Sequence, residues 1–282
     1  TYNSSVTIIE TLDSIAKQSF KDFELIIADD CSQDNTVDLV NDWLEKNEIN
    51  GCIVDSDVNT GVPGNANRGI KVSSSELLFL IAGDDILLPN ALEVYYKYYN
   101  INPDVLWMAR CKCFGGSEET MKKLDDMLCK ESFFELDNRS QYEELCYLNR
   151  ICAPSLGLVK KSIFCEIGFY DERYRMLEDY PFNIKVSKKG YCFRLIDEVL
   201  VMYRQSGNSI CGNQSKEFQK NCAIIFFKLR FLTLLKSGKV VYALKQLILE
   251  LAVLLGYRIT KDGKKIRIKK YSKTLDNRPK LI

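Results

Sequence analysis

The chain has 282 residues, of which 46% are hydrophobic and 27% charged, a balance that supports a folded core and excludes a disordered polyelectrolyte. Histidine is absent, which excludes a Ser-His-Asp or Cys-His nucleophile system, a histidine-bearing zinc site and a histidine general base, and leaves proton transfer to carboxylates, lysine, tyrosine or cysteine. The net charge of +1 conceals an asymmetry: Tyr257 to Ile282 carries ten Lys or Arg and two Asp or Glu, leaving 29 basic and 36 acidic residues on the rest.

The first half alternates helix and strand patterns. Val6, Ile9, Leu12, Asp13 and Ala16 follow helical spacing, with Asn3 or Ser4 as its cap. Phe23 to Ala28 reads as a short strand ending at Asp29-Asp30, and Asp34 as the cap of a helix carrying Val37, Val40, Trp43 and Leu44. A strand follows near Cys52 to Val54. Asn59 to Gly64 is a turn-rich loop, with Pro63 near the start of a helix through Ile70. Leu77 to Ala82 is apolar throughout, the pattern of a central parallel strand buried on both faces, and it ends at Gly83-Asp84-Asp85. Pro89 then opens a helix through Tyr99.

This order predicts an open, mostly parallel α/β sheet flanked by helices. Such sheets bind ligands beyond the carboxyl ends of their strands, where both acidic pairs fall. The second half is less regular, and residues 110–150 carry few signals. Tyr191 to Leu195 and Val199 to Tyr203 predict a hairpin around Asp197-Glu198. Glu217 to Leu235 and Val240 to Leu255 predict two helices. The second is too short for the ~20 residues that span a bilayer and reads either as a packed helix or as one lying in a membrane interface.

Eleven cysteines, odd in number and scattered without a C-x-x-C, argue for reduced thiols and a cytosolic setting over a disulfide framework or zinc site. No N-terminal signal-peptide pattern is seen.

Three acidic pairs could carry chemistry. Asp84-Asp85, on a turn after a buried strand, suits a hard divalent cation, or else caps the helix after Pro89. Asp29-Asp30 could accept a hydrogen bond from a nucleobase, or else belong to an ordinary turn. Glu178-Asp179 could supply a general base, or else be the usual acid at a helix N-terminus.

In order and spacing these segments resemble the family 2 glycosyltransferases, inverting enzymes of the GT-A fold. Thr1-Tyr2-Asn3-Ser4 resembles the end of the P-[ST]-Y-N signature. Thr11 to Phe20 resembles the T-L-x-S-I-x-x-Q-[TS]-[FY] helix, and Phe23 to Thr36 the segment with D-D-x-S-x-D-x-T. Asn59-x-Gly61 with Asn67-Arg68-Gly69-Ile70 resembles the next loop and helix, Gly83-Asp84-Asp85 the metal-binding turn, and Glu178-Asp179 the E-D motif. The resemblance runs from Thr1 to about Ser209.

It implies a GT-A domain over residues 1–210: a Rossmann-like nucleotide-sugar half (1–109), with a first strand lying before residue 1, and an acceptor half (110–210). C-terminal helices (211–256) and a basic tail (257–282) follow. It also implies that Thr1, Tyr2, Asp29, Asp30, Arg68 and Asp84 contact a nucleotide, and that Asp85 with Asp84 holds Mn²⁺ or Mg²⁺. Asp179 would be the catalytic base, with Glu178 beside it positioning the acceptor. The chain departs from the pattern at Ala82, where many members have Asp, and at Ala66, where many have Arg and for which Arg68 is the nearest substitute. It also lacks a histidine after Tyr203-Arg204.

The expected partners are a nucleoside diphosphate sugar, most simply a UDP-sugar, and a saccharide or lipid-linked saccharide acceptor used in surface polysaccharide synthesis. The tail suggests peripheral contact with the inner face of the membrane, and nucleic acid is not expected. The alternative is a catalytically silent nucleotide-sugar-binding protein on the same fold.

Overall fold

A computed structural model describes residues 1–117, 121, 131–151, 157–175, 177–205, 216–255, 257–259 and 265–267. The chain divides into two units, Thr1–Gln214 and Ser215–Ile282.

In the first unit, α1 (Ile8–Ala16) buries Ile8, Leu12 and Ile15 at helical spacing. Ile8 and Leu12 share a core with Ile27, Val40 and Trp43, and the Trp43 indole donates to Asp13 Oδ1 at 2.8 Å. Strand β1 (Leu25–Ala28) pairs in parallel with β2 (Gly51–Val54), as expected of a βαβ unit, with α2 (Thr36–Asn47) as the crossover. The N-cap of α2 is Asn35, without a side-chain cap bond, and not Asp34; the Asp34 carboxylate accepts from Thr36 N at 3.0 Å and from Ser5 N at 3.2 Å, so it ties the turn before α2 to the segment before α1. The start of α1 uses the Ser4 carbonyl, which accepts from Thr7 N and Ile8 N, in place of an Asn3 or Ser4 side-chain cap.

The loop after β2 leads into α3 (Gly61–Val72), whose Gly69 faces Ala28 of β1. The six-residue central parallel strand expected at Leu77–Ala82 is not formed. Only β3 (Leu77–Leu78) is a strand, and it runs antiparallel to β6 (Val159–Lys160). Of this run only Leu78 is buried and Ala82 is exposed; Phe79 and Ile81, partly buried, pack against the core around Tyr95, with the Phe79 and Tyr95 rings 5.3 Å apart.

A three-stranded sheet follows, in the order β4 (Ile86–Leu87), β7 (Cys192–Arg204), β5 (Val105–Phe114). Helix α4 (Ala91–Ile101) leads from β4 to β5, and β5 is parallel to β7 while β4 is antiparallel to it. The predicted hairpin around Asp197-Glu198 is in fact one continuous strand. Pairing jumps from Ala109–Ile196 to Arg110–Val199, so Asp197 and Glu198 bulge outward, and Arg110 bonds Asp197 and Glu131. A polar pair inside an apolar strand has the same local signature whether it turns the chain or bulges from it. Between β5 and β7 lie α5 (Glu131–Phe134), α6 (Asn138–Tyr147), α7 (Lys161–Ile167) and α8 (Asp179–Lys189).

The second unit contains α9 (Lys216–Ile225), a π-helical turn at Phe226–Arg230, α10 (Phe231–Lys236) and α11 (Val240–Leu254). The basic segment begins with a short antiparallel pair, β8 (Tyr257–Ile259) and β9 (Lys265–Arg267). The rest of that segment lies outside the described residues. Among the described residues no helix is long and apolar enough to cross a membrane, and Cys31, Cys52, Cys165, Cys192 and Cys222 carry free thiols.

Gln18, fully buried, ties α1 to the α4 entrance: its amide donates to Ser14 O (3.0 Å) and Leu88 O (2.8 Å) while its oxygen accepts from Leu92 N (3.0 Å). Gln18→Leu strands those backbone groups and is expected to cost about 2–4 kcal/mol. Chemical denaturation checks this, and a loss below about 0.5 kcal/mol would contradict it.

Candidate active site

The carboxyl end of β1 carries Asp29 and Asp30, both buried. Asp29 accepts from Ser32 N (2.8 Å), Ser32 Oγ (2.6 Å) and Thr1 Oγ1 (2.8 Å), so its bonds stay within the loop and the segment beside it. Asp30 accepts from Thr60 N (2.8 Å), Thr60 Oγ1 (2.6 Å), Gly61 N (2.7 Å) and the Arg68 guanidinium (3.3 Å). Burial works against ionisation of Asp30, yet these donors prevail and hold it below the usual carboxylate range. Asp30 therefore pins the β2–α3 loop over the strand end.

Arg68 also donates to Asp29 O (3.0 Å) and Asn65 Oδ1 (2.8 Å), while its Nε is buried without an acceptor. Thr1 lies alongside: its backbone nitrogen donates to Ala28 O at 2.6 Å and its carbonyl accepts from Asp30 N. Tyr2, half exposed, leaves its ring open to a ligand.

The same N-terminal segment touches the second acidic turn. A Cβ at Gly83 would sit 2.9 Å from Thr1 Cγ2, so a larger residue here would push the Thr1 side chain aside, and Thr7 Oγ1 donates to Gly83 O at 2.9 Å. Next in the turn, Asp85 is fully buried. Its Oδ1 accepts from Arg204 N at 2.9 Å; its Oδ2 has no partner. Burial, reinforced by the charge of Asp84, pushes Asp85 up to about 7, and burial also raises Asp84.

Arg204 at the end of β7 latches the turn: its Nε donates to Asp84 O at 2.7 Å, its Nη2 bonds Glu10, and its guanidinium lies over the Phe114 ring at 4.4 Å. Two adjacent carboxylates held above the ordinary range, one with an unclaimed buried oxygen, suit a divalent cation. Mg²⁺ and Mn²⁺ need only one or two protein carboxylates when a substrate supplies phosphate oxygens. Among the described residues no cluster of three or more acidic or thiol ligands exists, so the cation's other ligands would come from substrate and water.

Glu178 and Asp179 stand at the N-terminus of α8, half-buried. Burial raises both, and the charge of Asp179 raises Glu178 further. Phe182, one turn on, stacks against Phe164 at 4.8 Å and tilts against Tyr170 at 5.0 Å, which fixes how α8 presents its first turn.

Helix α3 links this pair to the Asp29–Asp30 loop. Asn67 donates to Tyr170 O (2.9 Å) and Glu172 (3.0 Å) and accepts from Tyr170 N (3.0 Å), while the adjacent Arg68 reaches Asp30. Arg175, three residues before Glu178, bonds Asn59 O (2.9 Å) and Oδ1 (2.8 Å). Among the described residues no hydrogen bond joins Glu178 or Asp179 to Asp84 or Asp85. Asn67, Arg175 and Arg204 escaped the sequence reading, because nothing local distinguishes a long-range polar contact.

The comparisons with known proteins agree. Residues 1–168 match the model of Glycosyl transferase family 2, and the chain belongs to that family. Its fold is GT-A. It is 28% identical over 222 residues to a PGL/p-HBAD biosynthesis glycosyltransferase of Mycobacterium bovis, spanning 78% of this chain and 80% of that protein. Staphylococcus aureus TarS 1–349, solved with UDP-GlcNAc, superposes with a TM-score of 0.65 at 18% identity over 89% of this chain and 70% of that one. The mannosyltransferase PcManGT of Pyrobaculum calidifontis, solved with GDP-Man and Mn²⁺, gives 0.58 at 17% identity over 90% of this chain and 67% of that one. At such identities the structural likeness is one of fold.

An acid with a raised folded pKa favours folding in its neutral form. In ion-free protein the stability from Asp85 is therefore complete below about pH 4 and falls as pH rises to about 7. Asp85→Asn is expected to remove about 2–4 kcal/mol of that fall. Thermal unfolding in chelator between about pH 4 and about pH 8 checks this. Identical pH slopes for the two proteins would contradict it.

Proposed function

We propose that this family 2 glycosyltransferase is metal-dependent and inverting. It would move a hexose-type unit from a nucleoside diphosphate sugar, most simply a UDP-sugar, to a hydroxyl of a saccharide acceptor. The observation that carries the reading is the unpartnered, buried Asp85 Oδ2 beside Asp84, on the rim where Asp30 and Arg68 pin the β2–α3 loop.

In this reading Tyr2 stacks on the base, and Asp30 Oδ2, with one protein donor, accepts from a base N–H. The unpaired Arg68 Nε meets a donor oxygen and takes the place of the arginine absent at Ala66. Asp84 and Asp85 are the residues that would hold Mn²⁺ or Mg²⁺, which when bound neutralises the diphosphate as it leaves. Asp179 accepts the acceptor hydroxyl proton as that oxygen bonds to the anomeric carbon. The bond from that carbon to the diphosphate oxygen breaks on the opposite face, and the nucleoside diphosphate departs with its electron pair. One displacement inverts the centre and needs no enzyme nucleophile. The raised affinity of Asp179 for protons suits a base working near neutrality.

The PGL/p-HBAD and poly(ribitol-phosphate) names of sequence relatives support an acceptor in glycan or glycolipid assembly. A lipid-linked acceptor is the form we favour, given the basic C-terminal segment.

Asp179→Asn is expected to lower kcat by about 10²–10⁴ while leaving UDP affinity within about threefold. Steady-state kinetics with calorimetric UDP titration tests it. Undiminished turnover would remove Asp179 as base, and the silent-binder alternative requires that neither protein turn over. UDP is expected to raise Tm only with Mn²⁺ present, and an equal shift without the ion would contradict the metal role.

A further inference from the structure

Helix α11 is amphipathic in the inverted sense. Its inward face carries Ala243, buried, and Glu250, nearly buried and accepting from Gln246 Nε2 at 2.7 Å. Its outward face is Val241, Leu244, Ile248 and Leu251, continued by Leu255 just past its end, exposed from 45% at Leu251 to 74% at Leu255. Spacings of three and four residues align these five in one stripe. Leu232 on α10 is exposed as well. An aliphatic stripe left in water while a carboxylate is turned inward marks a face that something covers.

Charge identifies the cover. Residues 215–282 hold 17 Lys or Arg and four Asp or Glu, a net of +13, whereas residues 1–214 hold 22 and 34, a net of −12. Lys245 borders the stripe, Lys236 and Lys239 precede the helix, and the basic segment follows Leu255 directly in sequence. A second copy on this face would bring two strongly cationic units together, which repulsion opposes. An anionic bilayer attracts the charge and takes up the aliphatics. Fifteen residues extend about 22 Å, short of the ~30 Å hydrocarbon core, so the helix lies on the membrane and does not span it.

We propose that the outward stripe of α11 docks into the surface of an anionic phospholipid bilayer, with the surrounding lysines and the basic segment supplying electrostatic attraction. The proposal does not depend on the sugar-transfer chemistry.

The full chain is floated with vesicles of 7:3 phosphatidylcholine:phosphatidylglycerol and with phosphatidylcholine vesicles. Binding to the anionic vesicles is expected to exceed binding to the neutral ones at least about tenfold. It is expected to survive in part at about 0.5 M salt, because the apolar contribution is not screened. The triple variant Leu244→Ser, Ile248→Ser, Leu251→Ser is expected to lose at least about tenfold in binding with an unchanged circular dichroism spectrum, since all three side chains face outward. Hydrogen exchange on the unsubstituted chain is expected to slow at 240–255 when anionic vesicles are added. Three results would overturn the proposal: no vesicle binding, equal binding by the triple variant, or a dimer in sedimentation that the triple variant abolishes. Exchange in 240–255 that anionic vesicles leave unchanged would overturn it too.

Discussion

A carboxylate oxygen shut away from water with nothing to bond is costly, and Asp85 Oδ2 is such an atom. Asp85 can take up a proton or share its charge with a cation, and its position close to 7 leaves both open near neutrality. The surrounding structure holds the side chain in that state. Arg204 fastens the turn through Asp84 O and Asp85 Oδ1, and Gly83 lets Thr1 close in from the other side. The arginine neutralises part of the charge without touching Oδ2. In the function we propose, a hard cation takes that place, with its other ligands brought by a substrate.

The acidic pairs show how environment divides labour among identical groups. Asp29 and Asp30 are as buried as Asp85, yet they are supplied with hydroxyl, amide and guanidinium donors and serve to shape a loop. For Glu178 and Asp179 burial outweighs the backbone amides that reach them, and the charge of Asp179 raises Glu178 further, so both hold their protons more tightly than an ordinary carboxylate. Helix α3 connects the two kinds: Arg68 faces the saturated pair, and Asn67 anchors the segment leading to the other. A shift in α3 would therefore move the Asp29–Asp30 loop and the segment leading to Glu178 together.

Much of the stretch from α1 to α4 was legible in sequence because its signals are local. Asp34 holds the turn before α2, the β1–α2–β2 alternation produces a parallel pair, and Asp29-Asp30 lies at the carboxyl end of β1. What failed was non-local. The apolar run from Leu77 to Ala82 suggested a strand buried on both faces where only Leu78 is buried and only Leu77–Leu78 pairs, and Asp197-Glu198 suggested a turn where the strand bulges. Arg204 stands about 120 positions from the turn it secures, and Arg175 about as far from Asn59. No spacing rule reports contacts of that kind; the fold creates them. The C-terminal unit was read correctly as helical, but which face of α11 looks outward depends on α9 and α10 as its neighbours.

The central claim is most directly tested by anomalous diffraction at the manganese edge from crystals grown with UDP and Mn²⁺. The expected result is a single strong peak about 2 Å from Asp85 Oδ2, bridged to the UDP diphosphate. A diphosphate bound without a peak at that oxygen, or a peak on other residues with Asp85 still unpartnered, would contradict it.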